Sequence, residues 1–433
     1  MLSIRPRGAE DRSWCETLPE TRPHYCSNTA VRTPAFNQRH ASGRFRGRTA
    51  RTARTARTEE GSMSIDELAD HRVASGSEPG CPKQMEYGPC GGVDFDGTCE
   101  VGDFRCVFLD APVVRWDGID RRTPVASATT ATSEAVRMRA LMDSRPILVS
   151  DLPARPMSGA SIREVASILR GTADAVLAGD SGDQRVQFPP AYRARLIKDA
   201  GLTPWTGLNC RDRNRVAIEG ELAGLADVPT GAVHCVTGDH TMTGGRPDAA
   251  PVFDLDSTEV AALAVAAGHL VSVGESPLTP PVEHRAGRLV QKLRTGAEVC
   301  FINHCGGAGP ARVFVDEVRG LGGEARFIAC VPIVVSLESA ALLASFTTLV
   351  LPEGYLDGIV SAADPRSAGI DAAVRMSLEF LEAGMDGVNL SGGAGGSDEL
   401  VYAEALAEIS ERIGIVSSGR GNGIGIGIAD SRA

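Results

Sequence analysis

The feature that most constrains this chain is an alternation of short apolar runs with amphipathic stretches, which begins at Pro146 and continues almost to the end. Eight apolar runs, rich in β-branched residues, have the length and composition of buried parallel strands. Helical periodicity fills several of the intervals between them. The expected strands are 147–152, 175–178, 203–209, 233–237, 270–273, 299–304, 327–331 and 387–390, and the clearest helices are 213–225, 257–267, 282–295, 311–321, 371–383 and 398–412. This pattern predicts an α/β fold, a (β/α)8 TIM barrel, and the number of strands favours it over a doubly wound open sheet.

The rest of the chain divides around this barrel, which we place at 146–413. Residues 1–62 carry Arg-Thr-Ala repeats and few aliphatic residues, so we expect a disordered basic tail, or an over-extended start before a true initiator at Met63. A cysteine-rich metal-binding module is expected at 63–110, and a connector with a short helix at 111–145. Residues 414–433 are expected to form a Gly-rich tail.

Charge and hydropathy exclude some classes of function. The net charge of −11 argues against nucleic-acid binding, which depends on basic surfaces. The longest apolar stretch, 327–351, is interrupted by Pro332 and Glu338, so we interpret it as a buried strand and helix and not as a membrane span. No apolar segment typical of a secretory signal follows the first residues, and we therefore expect a cytoplasmic protein.

The cysteine-rich segment places four thiols within 26 residues, separated by Gly and Pro turns. The four are Cys81, Cys90, Cys99 and Cys106. Four thiolates suit a structural Zn²⁺, which would also supply folding energy that so small a segment lacks. An iron–sulfur cluster accepts the same ligands, and buried cysteines without a metal are the third interpretation.

Polar residues follow the predicted strands at the points where the strands end. In a (β/α)8 barrel these carboxyl ends meet at one rim, where the chemistry takes place. The residues expected to converge there are Asp151, Asp180, Asn209, Thr237, Asp239, Glu275, Asn303 and His304. Any one of them has a structural explanation, such as an aspartate that caps the next helix. Together they predict a small-molecule enzyme site.

Two parts of the chain resemble the methylenetetrahydrofolate reductase family. Cys-Pro-Lys at 81–83, Gly-Pro-Cys-Gly-Gly at 88–92 and Cys-Glu-Val at 99–101 resemble the cysteine-rich domain that is named for the C-terminus of these enzymes, although here it precedes the barrel. The barrel resembles their catalytic domain. That similarity rests on Asn-Cys-Arg-Asp-Arg-Asn at 209–214, Val-Thr-Gly-Asp at 236–239, Val-Phe-Asp-Leu-Asp-Ser at 252–257, Thr-Gly-Ala at 295–297 and Cys-Val-Pro at 330–332.

The resemblance implies a reaction and a set of roles. A reduced nicotinamide cofactor, NAD(P)H, would reduce FAD, which passes hydride to 5,10-methylenetetrahydrofolate and gives 5-methyltetrahydrofolate. Asp151 occupies the place of the catalytic Glu of the family, with a side chain shorter by one methylene, and Asp239 matches the carboxylate beside flavin and folate. Lys292 matches a basic residue that helps to hold the flavin phosphates. Asn209 and Thr237 are expected to contact the cofactor, too.

The chain departs from the family at two of these positions. Thr237 stands where well-studied members have Arg, and Asn303 with His304 replaces a Thr-Gln pair, which leaves Asn303 as a substrate ligand and His304 as a substrate ligand and catalytic residue. Three hypotheses therefore stay open. The first is a methylenetetrahydrofolate reductase-like oxidoreductase. The second is a non-redox tetrahydrofolate-dependent methyltransferase or demethylase. The third is a non-catalytic subunit that needs a partner protein, and a homo-oligomer is compatible with any of them.

Overall fold

The computed structural model describes residues 80–110, 113–118, 131–180, 184–346, 348–395 and 398–416. Its main feature is a closed barrel of eight parallel strands. The strands are β3 (Ile147–Asp151), β4 (Ala175–Ala178), β5 (Pro204–Asn209), β6 (Ala232–Val236), β7 (Val271–Glu275), β8 (Val299–Ile302), β9 (Arg326–Pro332) and β10 (Gly387–Ser391). The last strand pairs with the first, Gly387 opposite Ile147, and this closure excludes the open sheet.

Helices surround the barrel and close its amino end. They are α1 (Ser133–Ser144), α2 (Gly159–Leu169), α3 (Pro190–Asp199), α4 (Arg215–Asp227), α5 (Ser257–Ala266), α6 (Arg285–Leu293), α7 (Ala308–Gly320), α8 (Leu337–Ala344), α9 (Tyr355–Val360), α10 (Pro365–Glu382) and α11 (Glu399–Ile413). Several begin at a side-chain cap, as α5 does at Asp256, whose carboxylate accepts from the backbone N–H of Thr258. Met138 and Met142 of α1 pack against the inner residues of the barrel and cover its amino end.

Strand alternation divides the core into two layers, because successive side chains point to opposite faces of a strand. The inner layer includes Val149, Trp205, Phe301 and Ile328. The outer layer, between strands and helices, contains most of the other apolar residues, such as Leu148, Val233 and Cys300. Along each strand, every second residue counted from these inner residues therefore faces the interior of the barrel. We say that these residues have inward parity.

The cysteine-rich segment forms a small unit that contacts the carboxyl end of the barrel. It contains the hairpin β1 (Thr98–Cys99) and β2 (Gly102–Arg105) and a 3-10 turn at Val107–Leu109. Glu100 Oε1 accepts from the backbone N–H of His240 at 3.0 Å, and the guanidinium of Arg285 donates to the carbonyl of Cys90 at 3.0 Å. These contacts place the module over the loops that follow β6 and β7.

The sequence predictions of the barrel are confirmed strand by strand, and no predicted strand is missing. The segment 327–351 forms β9 and α8, the predicted strand and helix. Among the described residues, no helix is long and apolar enough to cross a membrane. The predicted basic tail at 1–62 and residues 417–433 of the predicted Gly-rich tail lie outside the described residues.

Candidate functional site

A cavity opens inside the carboxyl end of the barrel. Several residues of inward parity keep partial exposure although the barrel wall encloses them: Asp151, Leu177, Gly179, His234, Val236, Gly274, Asn303 and Ser391. A Cβ built on Gly179 would meet no atom within 4 Å, which confirms open space at that point. Because α1 closes the other end, solvent reaches these residues from the rim. We call this space the barrel cavity.

Asp151 lies at the wall of the barrel cavity, at the end of β3. Its Oδ1 accepts from Asn389 Nδ2 at 2.9 Å, and its Oδ2 accepts from the backbone N–H of Gly392 at 3.0 Å. Burial raises the pKa of this carboxyl to about 6, and the hydrogen bonds from Asn389, Gly392 and Ser391 oppose that shift. A carboxyl group with such a pKa can exchange a proton near neutral pH, as a general acid must.

Asn389 is a site residue that the sequence analysis did not single out. It lies in the middle of β10, buried, one layer below Ser391. Its Nδ2 holds Asp151, while its Oδ1 is buried without a hydrogen-bond partner among the described residues. A buried acceptor of this kind usually has a hydrogen-bond donor, so we expect a ligand or a water molecule to donate to this oxygen. Its signal in the sequence was a polar residue at an inward position of a predicted strand.

Asp239 lies at the rim, outside the barrel cavity. Its side chain is 57% exposed, and its Oδ2 accepts from Arg185 Nη1 at 3.0 Å. Arg185 itself is buried and also donates to Thr243 Oγ1 at 2.9 Å, so the aspartate is held by a fixed guanidinium. The ammonium of Lys83, from the cysteine module, lies close enough to Asp239 to interact with it electrostatically.

Asn209 and Asn303 also face inward, each in a polar network. Asn209 Nδ2 donates to Asp180 Oδ1 at 3.1 Å, and the guanidinium of Arg211 forms an ion pair with the same carboxylate at 2.5 Å. Asn303 Nδ2 donates to Ser276 Oγ at 3.2 Å. Asn303 keeps partial exposure to the barrel cavity, whereas Asn209 is buried beside Asp180.

Three predicted site residues turn away from the barrel cavity. Thr237 Oγ1 accepts from the backbone N–H of Ser257, the first residue of α5, at 3.4 Å. Lys292 is buried in an ion pair, with its Nζ 2.8 Å from Glu275 Oε2, so its charge is already matched behind the barrel wall. Both side chains lie on the helix side of the strands, and neither is placed to contact a cofactor in the cavity.

His304 is the third of these residues. Phe301 faces inward, so Asn303 continues that face and His304 falls on the opposite one. Burial lowers the pKa of His304 to about 4, so the imidazole is neutral at neutral pH even though the ring donates to the carbonyl of Cys330, a contact that favours its charged form. Its Nδ1 is buried without a hydrogen-bond partner among the described residues. The expected convergence of His304 with Asp151 is therefore not supported by the geometry.

The four cysteines of the module share one local geometry. Each sulfur accepts a hydrogen bond from the backbone N–H two residues further along the chain. Burial, together with the neighbouring thiols of Cys90, Cys99 and Cys81, raises the pKa of Cys106 to about 11, so the four lie near one another. Nevertheless, within the described parts of the chain no three His, Cys, Asp or Glu side chains form a group that could hold a metal ion as they stand.

Comparison with known proteins bears on the module and on the fold. The family model described as "Methylene-tetrahydrofolate reductase C terminal" matches residues 73–127, a segment that contains all four of these cysteines. A search of curated proteins found no match to the chain. Two crystal forms of 2,3-dimethylmalate lyase, a PEP mutase/isocitrate lyase superfamily member, are similar at 12% and 14% identity, with TM-scores of 0.40 and 0.39. The similar region spans 65% and 67% of this chain, and 85% and 88% of the two lyase chains, respectively. A likeness at this level says nothing about the reaction.

Proposed function

We propose that the chain is a folate-dependent one-carbon enzyme that reduces 5,10-methylenetetrahydrofolate to 5-methyltetrahydrofolate with NAD(P)H. The observation that carries this proposal is the position of the cysteine module. A segment whose family is named after methylenetetrahydrofolate reductase is packed on the rim of a (β/α)8 barrel, with Glu100 bonded to the residue that follows Asp239. Chemistry in such barrels takes place at this rim.

The reaction needs a proton donor and a group that stabilises a positive charge, and we assign these roles to Asp151 and Asp239. The substrate ring opens when one of its nitrogens is protonated and the bond from that nitrogen to the methylene carbon breaks, which leaves a cationic iminium. Asp151, with a pKa of about 6, is the proton donor in this proposal. Asp239, whose side chain is held by Arg185 at the rim, is assigned the stabilisation of the cation. Hydride from the nicotinamide then adds to the methylene carbon and completes the reduction.

FAD does not fit the residues that the resemblance assigns to it. The chemistry that a bound flavin would supply is hydride relay between the two substrates. Of its expected ligands, however, Lys292 is engaged by Glu275 and Thr237 by the amino end of α5, both on the helix side of the barrel wall. We therefore propose that the nicotinamide delivers hydride directly to the folate and derive no step through flavin.

The test is oxidation of NADH or NADPH by the purified chain in the presence of methylenetetrahydrofolate, with 5-methyltetrahydrofolate identified as the product. An absorbance spectrum of the fresh protein from about 300 to 600 nm reports on bound flavin at the same time. We expect turnover without flavin bands. Flavin bands that bleach on addition of NADH would restore the relay through FAD.

The same misfit favours a second candidate, a non-redox tetrahydrofolate-dependent methyltransferase or demethylase. A barrel that binds no flavin would still offer an acid, a carboxylate and an amide for a pterin. This candidate predicts that a methyl or methylene group moves between tetrahydrofolate and an acceptor while the absorbance of NADH at 340 nm, the band of the reduced cofactor, stays constant at about its starting value.

A further inference from the structure

The inner surface of the barrel contains a hydrogen-bonded chain of three side chains that the proposed reaction does not use. Trp205 Nε1 donates to Ser272 Oγ at 2.8 Å, and Ser272 Oγ lies 2.9 Å from His234 Nδ1. Trp205 and Ser272 are fully buried, whereas His234 keeps partial exposure. His234 lies one layer below Val236 on the inner face of β6, so it forms part of the floor of the barrel cavity.

The direction of this chain fixes the proton on the histidine. An indole N–H is only a donor, so Ser272 Oγ accepts from Trp205 and must place its own proton elsewhere. Two acceptors are within reach, His234 Nδ1 at 2.9 Å and the carbonyl of Val233 at 3.4 Å. Because His234 Nδ1 is the closer acceptor, the hydroxyl of Ser272 donates to it. Nδ1 is therefore unprotonated, and the proton of the neutral ring is on Nε2.

Nε2 of His234 faces the space that Gly274 leaves by having no Cβ. A Cβ built on Gly274 would lie 3.7 Å from Nε2 and from Cε1 of His234, an ordinary contact, with no closer atom. No described residue forms a hydrogen bond with Nε2. The ring of Phe301 packs against the imidazole of His234, with centroids 4.9 Å apart and planes at 61°, and restricts its rotation. A neutral donor is thus held rigidly at the floor of a cavity.

We infer that His234 is a substrate-binding residue, whose Nε2–H donates to an acceptor atom of a flat heterocycle that enters the barrel cavity. The inference rests on the proposed function, under which that heterocycle is the folate pterin, with a ring carbonyl or ring nitrogen as the acceptor. A neutral donor suits an uncharged acceptor, and the Ser272–Trp205 chain lowers the cost of orienting it.

The experiment compares binding of 5-methyltetrahydrofolate to the full chain and its variants by isothermal titration calorimetry. His234→Phe keeps a ring against Phe301 but loses the donor, and we expect affinity to fall about tenfold, the value of one buried hydrogen bond. His234→Gln keeps an amide N–H and should stay within about threefold. Gly274→Ala leaves the histidine and its partners intact but covers Nε2, and should weaken binding to a similar degree as His234→Phe.

Matched controls separate a local effect from general damage. Gly220→Ala places a Cβ in open space on α4, and His269→Gln alters a buried histidine whose Nε2 bonds to Leu222 outside the cavity. Both should bind like the unaltered chain. If the unaltered chain binds no folate, the proposed function fails and this inference falls with it. If it binds folate and His234→Phe binds equally well, this inference alone is wrong.

A measurement without ligand checks the orientation of the ring. With ¹⁵N-labelled histidine, the His234 signal, assigned by its loss in His234→Gln, should show a protonated Nε2 and an unprotonated Nδ1. Ser272→Ala removes the donor to Nδ1 and should shift the signal toward a mixture of both tautomers. A proton on Nδ1 in the unaltered chain would contradict the inference.

Discussion

The acid at the barrel wall is an ordinary aspartate in an unusual setting. The pKa of Asp151 lies above that of a free aspartate because burial costs the charged form more than the hydrogen bonds from Asn389, Gly392 and Ser391 recover. An acid must be protonated to donate, so activity that depends on it is present below its pKa and is lost as the pH rises through it. We expect kcat/KM to decline above a pH of about 6.

Replacement of Asp151 tests its role directly. Asp151→Asn removes the transferable proton, and we expect kcat/KM to fall by roughly 10²–10⁴, the range for a lost general acid, with no decline left near pH 6. The control is Asp386→Asn, at the amino end of β10, where a carboxylate oxygen accepts from the backbone N–H of Phe327. Full activity of Asp151→Asn would remove this residue from the mechanism.

Asn389 positions Asp151, and replacing Asn389 should change the pH dependence of kcat/KM. Its amide stabilises the ionised form of Asp151, so its removal should raise the pKa of that carboxyl further. We expect Asn389→Leu to move the decline of kcat/KM to higher pH, by about one unit. Reduced activity at every pH with an unchanged profile would indicate a structural role only.

Strand ends led the sequence analysis to three residues that the structure places on the inner face of the barrel. Asp151 and Asn209 are the last residues of their strands and Asn303 follows β8, and of these three Asp151 and Asn303 keep partial exposure to the barrel cavity. Asn389 and His234 were missed because they lie within strands and not at their ends. Thr237 and His304 were also predicted from strand ends, and Lys292 was assigned from a family position. A strand end or a family position by itself does not reveal which side of the barrel wall a side chain faces.

At the scale of elements, the cysteine module contacts the barrel through Glu100, which also forms a buried ion pair inside the module. Lys83 Nζ lies 2.6 Å from Glu100 Oε1, with side-chain exposures of 3% and 14%, and the same oxygen accepts from His240 of the barrel. Because removal of one partner leaves a buried charge unpaired, we expect Glu100→Ala to cost about 3 kcal/mol of unfolding free energy in urea. Glu408→Ala, which breaks the more exposed pair with Arg366, is the control. Equal stability of both variants would contradict the buried role of the pair.

A structural zinc at the four thiols stays a prediction. Backbone N–H groups that point at each sulfur favour the thiolate, which is the form that binds metal, while burial raises the pKa of Cys81, Cys99 and Cys106 and favours the thiol. We expect elemental analysis to find roughly one Zn per chain, and none when Cys81 and Cys90 are both replaced by Ser. A broad absorbance band near 400 nm, about where iron–sulfur centres absorb, would replace zinc by a cluster. Fresh protein without any metal would leave the cysteines as buried thiols.

At the scale of the whole molecule, the sequence indicated the architecture because the alternation of strands and helices repeats eight times. The observed strand bounds lie within about two residues of the predicted ones, since β-branched runs bounded by turns mark strands clearly. Docking of the module could not be predicted, because it depends on contacts between residues about 140 positions apart, such as Glu100 and His240. That contact is also what connects the module with the candidate active site.

The reductase proposal is tested by incubating 5,10-methylenetetrahydrofolate with the purified chain and NADH or NADPH, and by measuring both the folate product and the nicotinamide oxidised. The account predicts that 5-methyltetrahydrofolate forms, that one equivalent of the nicotinamide is oxidised per product, and that Asp151→Asn abolishes both. Consumption of the folate without oxidation of the nicotinamide would contradict the reductase and favour group transfer. No change in either compound, with either nicotinamide, would contradict the proposed function altogether.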